Sequence, residues 1–315
     1  MRAETVLGAI APEKLGAVDY HDHLVTIGGG EVRLDKDLAL ERTDHAIREL
    51  AQFHQDGINT LVDMNPIDCG RGVEELIEIA KAVPVNIIAC TGFQRSIYYD
   101  RSHWIYRYSV EQIADLIEQE IVQGIDANNY NGPLIRRLPC KAGVIKCATE
   151  YNYIPAVEEK LIKAAAMAHK RTGAPISTHT ERGTMALETL DILERNGADP
   201  SKVILGHIDR NPDFRLHSAI AKRGANLGYD GPSRTKYWPD NVISDLMRRM
   251  VEAGYQKHMF LGGDMGRASY WKAYGGGPGL SYMLTKFAPR LREDGIPETA
   301  LQDILINNPR RVFVF

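Results

Sequence analysis

Six polar residues stand in or at the ends of short apolar runs, and their types are those of a metal site. His21 and His23 close the run AVDYHDHL, Lys146 lies in AGVIKCAT, His179 in APISTHT, His207 in KVILGHI, and Asp264 closes HMFLGGD. Side chains alternate faces along a strand, so His21 and His23 are expected to point the same way while Asp22 points outward. Four imidazoles and a carboxylate gathered at one place would be costly without a common partner. Such donors suit zinc first, with manganese, iron, cobalt and nickel also served by them. The other histidines, His45, His54, His103, His169, His217 and His258, fall in helical or loop patterns and read as packing residues.

Lys146 is the odd member, because an ammonium would be repelled by divalent cations. Burial and positive neighbours depress a lysine pKa and leave a neutral amine. A neutral amine reacts with carbon dioxide to give a carbamate, a bidentate anion able to bridge two metals. Two other readings compete: a Schiff-base lysine of an aldolase-type barrel, and a lysine paired with a carboxylate such as Glu150.

Residues spread from 21 to 264 need a fold that brings distant strand ends together. Eight strand candidates run through the chain: Ala17–Leu24, Gly57–Asn65, Val85–Phe93, Ala142–Thr149, Ala174–Thr180, Lys202–Ile208, Ala225–Asp230 and His258–Asp264. Amphipathic helical patterns lie between them, at Ala46–Gln55, Val73–Ala82, Val110–Gln123, Val157–Lys170, Thr184–Arg195, Phe214–Lys222 and Asn241–Glu252. Closing segments surround Leu280–Arg292 and Pro297–Asn307. This alternation predicts an α/β protein, a single (β/α)8 TIM barrel over residues 1–315, with its site at the C-terminal ends of the strands. A doubly wound sheet would carry a Gly-rich turn opening directly into a helix after the first strand. Gly28-Gly29-Gly30 is instead followed by charged sequence and reads as a flexible loop.

The 315 residues are 44% hydrophobic and 25% charged, the composition of an ordinary globular protein. A net charge of −3 without a basic run argues against a nucleic-acid or anionic-membrane surface. No stretch reaches the length of a membrane span, and no signal segment is visible. Four scattered cysteines without a CxxC pair point to a reducing cytoplasm. An exposed barrel flank would leave room for a homodimer.

HxH on strand one, Lys on strand four, His on strands five and six and Asp on strand eight resemble the phosphotriesterase-like family of the amidohydrolase superfamily. The resemblance runs from VDYHDHL through VIKCATE, ISTHTERG and ILGHIDRNP to FLGGDMGR and NNPRRVF. It implies that His21, His23 and Asp264 hold the more buried of two divalent metals. His179 and His207 would hold the other, and carboxylated Lys146 would bridge both together with a hydroxide. Two cations about 3.5–4 Å apart acidify and clamp that water for attack. Asp264 would take its proton and deliver it to the leaving group. The reaction class is therefore hydrolysis of an ester, lactone, amide or phosphoester.

Loops seven and eight, GYDGPSRTKYWPD and GGDMGRASYWKAYGGGPG, bring Arg234, Lys236, Tyr237, Arg267, Tyr270 and Lys272 toward a rim where many barrels bind phosphate. Guanidinium forks and ammonium charges there suit a small anionic substrate. Arg267 and Lys236 lead this set, while Tyr98 and Tyr99 offer a hydroxyl or an apolar wall. Members of the family that hydrolyse organophosphate triesters carry an acidic residue and a histidine where this chain has Arg210 and Gly231. Those that cleave N-acyl-homoserine lactones have an apolar channel, which a rim of Arg, Lys and Tyr fits poorly. The segments GDMGR and GPSRTKYWP resemble members that open phosphorylated sugar lactones, so the expected substrate is a five- or six-carbon aldonolactone phosphate. Outside the hydrolases, the alternatives are a Schiff-base aldolase using Lys146 and a non-catalytic metal-binding barrel.

Overall fold

The computed structural model describes residues Met1–Phe315. Eight parallel strands follow one another around a barrel: β1 (Val18–Asp22), β2 (Thr60–Asp63), β3 (Asn86–Gly92), β4 (Val144–Thr149), β5 (Ile176–Thr180), β6 (Val203–Gly206), β7 (Asn226–Tyr229) and β8 (Met259–Leu261). Each lies inside its expected run. The amides of Gly263 and Asp264 donate to the carbonyl of His21 at 3.1 and 2.8 Å, stitching the segment after β8 to β1. This bonding draws the first and last polar strand ends together.

Helices α1 (Thr43–Gln55), α2 (Val73–Ala82), α3 (Val110–Val122), α4 (Ala156–Thr172), α5 (Ala186–Arg195), α6 (Phe214–Lys222) and α7 (Asp240–Glu252) occupy the connections. In α3, Ser109 and Gln112 form a reciprocal capping box, and Ile113, Ile117 and Ile121 repeat at helical spacing to bury one stripe. The large core between helices and sheet is built from such stripes. A second cluster fills the barrel itself, where Val18, Tyr20, Val62, Ile88, Ile204 and Phe260 meet Phe313 and Val314 from the chain's end. Reciprocal backbone bonds between Arg2 and Phe315, each 3.1 Å, join the two termini beneath the barrel. A short hairpin, Ala3–Thr5 with Gly8–Ile10, precedes β1 and was not expected from the sequence.

Two local features depart from the sequence expectation. Gly29–Leu34 is a short helix, not a flexible loop, and it is packed in place against Tyr98, so closely that a Cβ at Gly30 would collide with the Tyr98 carbonyl. The register of β1 against β2 also shifts between Asp19 and Asp22. Strict alternation therefore fails, and Tyr20 joins the barrel interior while His21 and His23 still line the cavity at the mouth. Asp22 does turn away from that cavity, accepting from the amides of His23 and Met265 at 2.8 and 2.9 Å.

A fully buried ion pair secures the wall beside the site. Arg71 donates to both Glu120 oxygens at 2.7 and 2.9 Å and to the Cys90 carbonyl at 2.9 Å. Its Nε reaches Asn129 of the long α3–β4 connection at 2.8 Å. Removing one partner strands the other charge, so Arg71→Met is expected to lose about 3–5 kcal/mol in urea unfolding. A loss below about 1 kcal/mol would show that Glu120 finds another partner at little cost.

Candidate active site

A cavity of about 180 Å³ opens at the C-terminal ends of the strands. His21, His23, His179, His207 and Asp264 line it, and the buried Lys146 lies beside the Nε2 of His21. His23 Nε2 and His21 Nε2 approach Asp264 Oδ1 to 3.3 and 3.6 Å, and Lys146 Nζ lies 3.3 Å from His21 Nε2. Two nitrogen ligands each about 2.0–2.1 Å from one tetrahedral ion stand about 3.3 Å apart, so these spacings fit a shared cation. His21, His207 and Asp264 form one such group, with ligand atoms within 4.8 Å of one another. It spans the two metal subsites that the resemblance distinguishes.

Each imidazole has its rear nitrogen facing an acceptor, which leaves the other nitrogen for a metal. His23 Nδ1 contacts Asn65 Oδ1 at 2.7 Å, His179 Nε2 contacts Glu181 at 2.8 Å, and His207 Nδ1 contacts Asp230 at 2.6 Å. His21 Nδ1 faces the other Asp230 oxygen at 3.5 Å and has no closer partner. Asn65, Glu181 and Asp230 escaped the sequence reading. Their only signal was position, since Asn65 and Asp230 close expected strand runs and Glu181 directly follows one.

The electrostatics favour the neutral forms of His21, His179, His207 and Lys146. Burial, then the charges of Lys146 and Arg210 respectively, hold His21 and His207 well below the ordinary imidazole range. Burial and Arg95 bring His179 to about 4 despite the opposing Glu181. His23 moves the other way, because Asp264 outweighs the effect of burial. Burial lowers the Lys146 pKa against the pull of Cys90 and Asp264. Glu150, the carboxylate offered as a simple partner for Lys146, pairs instead with Arg95 at 3.0 Å.

Asp264 sits in left-handed backbone conformation with φ 46° and divides its two oxygens between different tasks. Oδ1 faces the imidazoles, and Oδ2 accepts from Arg210 and Arg234 at 2.7 Å each. Burial opposes ionisation, but Arg234 and the histidines hold the carboxyl well below its usual range. The Arg234 guanidinium, expected on the substrate rim, thus lines the cavity while also bonding the side chain and carbonyl of Asp264. Being almost fully buried, it braces the centre as well as facing the cavity.

Lys236, Tyr237, Arg267, Tyr270 and Tyr98 also line the cavity. Lys236 lies over the Tyr237 ring at 5.1 Å, and Arg210 faces the same ring at 4.6 Å. Arg267 bonds Asp35 at 2.6 Å and Asp37 at 3.3 Å, both through one nitrogen, Nη1. Tyr98 accepts from Arg95 at 3.0 Å. Lys272 and Tyr99 lie away from the cavity: Lys272 borders a separate depression with Glu49, and the buried Tyr99 donates to the Ile67 carbonyl at 3.0 Å. Glu31, Gln94 and Arg95 also line the cavity and were missed by the sequence reading. Glu31 enters on the unexpected short helix, so no strand-end pattern marked it.

A barrel with this ordered set of donors at its mouth is that of a metal-dependent hydrolase, and the chain belongs to the phosphotriesterase family, whose family model matches residues 1–313. It is 40% identical to a phospho-furanose lactonase of Mycoplasmopsis synoviae, over 99% of this chain and 92% of that one. Its structure is similar to a lactonase of Listeria monocytogenes, with TM-score 0.93 and 32% identity over 100% of this chain and 99% of that one. It also resembles the phosphotriesterase homology protein of Escherichia coli solved with phosphate in its active site, with TM-score 0.88 and 30% identity over 95% and 99% of the two chains. The chain is accordingly an enzyme that hydrolyses ester bonds.

Proposed function

We propose that this hydrolase opens a phosphorylated sugar lactone, an aldono-1,4-lactone phosphate of five or six carbons, acting as one catalytic unit over residues 1–315. The observation that carries this reading is that Lys236, Arg267 and Tyr270 share one cavity with the His21, His23, His207 and Asp264 cluster. A carbonyl held at the cluster and a phosphate held at the rim would span that cavity. The name of the M. synoviae relative and the phosphate in the E. coli relative support the same substrate class. Arg210, three residues after His207, donates to Asp264, so the acidic relay of triesterases has no counterpart there. An acyl-chain lactone would meet a mainly polar wall.

His21, His23 and Asp264 would hold one divalent cation, His179 and His207 a second, and carboxylated Lys146 would bridge them. Zinc heads the metals suited to these donors. When bound, such a pair supplies a water of near-neutral pKa and polarises the carbonyl. The chain's own residues do the remaining work. Lys236, Arg267 and Tyr270 hold the phosphate and so fix the lactone ring's distance from the cluster. Arg210 and Arg234 aim Asp264, whose carboxylate takes the proton of the attacking water. After the ring C–O bond breaks, the protonated Asp264 gives that proton to the departing alkoxide. A carboxylate weakened as a base by two guanidiniums becomes, once protonated, a ready donor.

Four free, buried cysteines fit a cytoplasmic setting for this activity, and no helix is long and apolar enough to cross a membrane. A homodimer through an exposed barrel flank belongs to the same reading.

A pH-indicator assay with paired lactones, phosphorylated and not, tests the substrate. Lys236→Ala should lower kcat/KM for the phosphorylated lactone about 30- to 150-fold, the equivalent of losing a charge-assisted contact of about 2–3 kcal/mol. The unphosphorylated partner should change by less than about threefold, since it lacks the group that Lys236 contacts. Equal losses on both would remove the phosphate from the reading.

A further inference from the structure

Tyr20 is buried in the barrel interior directly beneath the site, and no step described above uses it. Its hydroxyl donates to Asp230 Oδ2. The same oxygen faces His21 Nδ1 at 3.5 Å and accepts from the His207 amide at 3.2 Å, while Oδ1 contacts His207 Nδ1 at 2.6 Å. One carboxylate therefore stands behind two of the imidazoles that converge on Asp264, and one phenol fixes that carboxylate from below.

The barrel is shaped to admit this phenol. A Cβ at Gly228 would collide with the Tyr20 hydroxyl, and one at Gly262 would come within 3.0 Å of its ring. Gly206 also faces the hydroxyl, at 3.6 Å from an added Cβ. β7 and the residue following β8 thus present glycine to one side chain, whereas Gly206 is required by the Thr178 carbonyl, with which an added Cβ would collide, and only touches the hydroxyl. The β1 register shift supplies the other half of the arrangement, because it lets adjacent Tyr20 and His21 both reach inward. Packing alone would be met by phenylalanine, yet the ring is placed so that its oxygen meets Asp230.

We propose that Tyr20 is a positioning residue that acts through Asp230 to set the orientation of His207 and His21. A carboxylate released from the phenol can rotate, and the two imidazoles behind which it stands lose a common reference. The inference rests on the metal-centre reading under Proposed function. It concerns which residue orients the donors, a question that reading leaves open.

Cobalt(II) titration of metal-free protein tests it, followed by visible absorption and by affinity in competition with a chelator. Tyr20→Phe keeps the ring and removes the hydroxyl. Loss of an orienting group directly behind a ligating imidazole weakens metal binding about 10- to 100-fold, and the lower end of that range applies to Tyr20, which acts on Asp230 and not on the imidazole itself. The expected result is that loss of cobalt affinity with a changed ligand-field spectrum, in a variant that is folded by circular dichroism. Gly228→Ala, which crowds the hydroxyl out of place, should change the spectrum in the same sense and carries the test if Tyr20→Phe does not fold. A parent protein that binds cobalt, with variant affinities and spectra matching it, overturns the Tyr20 assignment alone. A parent that binds no cobalt overturns the metal-centre reading and this inference with it.

Discussion

Asp264→Asn is expected to lower kcat on the lactone about a thousandfold, within the range of losses typical of removing a positioned acid–base group. The geometry makes the substitution severe, although its shape is nearly conserved. Asp264 Oδ1 faces His21 and His23, and Oδ2 accepts from Arg210 and Arg234. An amide must turn its NH2 toward one of these sides. Toward the guanidiniums, donor meets donor; toward the imidazoles, the oxygen proposed to ligate the metal is lost. Neither arrangement accepts a proton from water. Steady-state rates with metal content measured on the same sample check this, and a rate within about tenfold of the parent would remove Asp264 from acid–base work.

Lys146→Met is expected to reduce bound metal from about two equivalents to one or fewer and to abolish most of the activity. Methionine nearly matches the volume of the lysine stem, and Lys146 is fully buried, so the apolar part of its packing is retained. What disappears is the amine beside His21 Nε2. Burial disfavours its ammonium form, and a neutral amine is the form that combines with carbon dioxide. Elemental analysis measures the metal, and labelled bicarbonate followed by carbon-13 spectroscopy reports the carbamate on the parent. Full metal content and rate in Lys146→Met would sink the bridging role. Trapping of a carbonyl substrate on Lys146 by borohydride would replace that role with Schiff-base chemistry.

Strand ends were legible because a parallel barrel buries both faces of its strands. Apolar runs such as VIKCAT therefore stand out, and a lysine inside one is conspicuous. The donors His21, His23, Lys146, His179, His207 and Asp264 each interrupt or close such a run. Asn65, Glu181 and Asp230 are equally placed near strand ends, yet they belong to residue types common in loops. Only the distances of 2.7, 2.8 and 2.6 Å to imidazole nitrogens separate them from solvated side chains. The cationic rim shows the opposite difficulty. Arg234 and Arg267 are both arginines of C-terminal loops, but one braces Asp264 and the other is tied to Asp35 and Asp37. Loop arginines reach about equally far in several directions, so their partners depend on how three or more loops pack.

From residue order alone came the eight strands, the barrel they build and the six polar residues proposed as its central donors, because burial periodicity and polar interruption are local properties of the chain. Tertiary structure decided the rest: the register shift that turns Tyr20 inward, the short helix that brings Glu31 to the cavity, and the carboxylates behind the imidazoles. Those depend on close approaches between segments far apart in sequence. A hydrogen bond is made or lost over a few tenths of an ångström, a distance that no local pattern encodes.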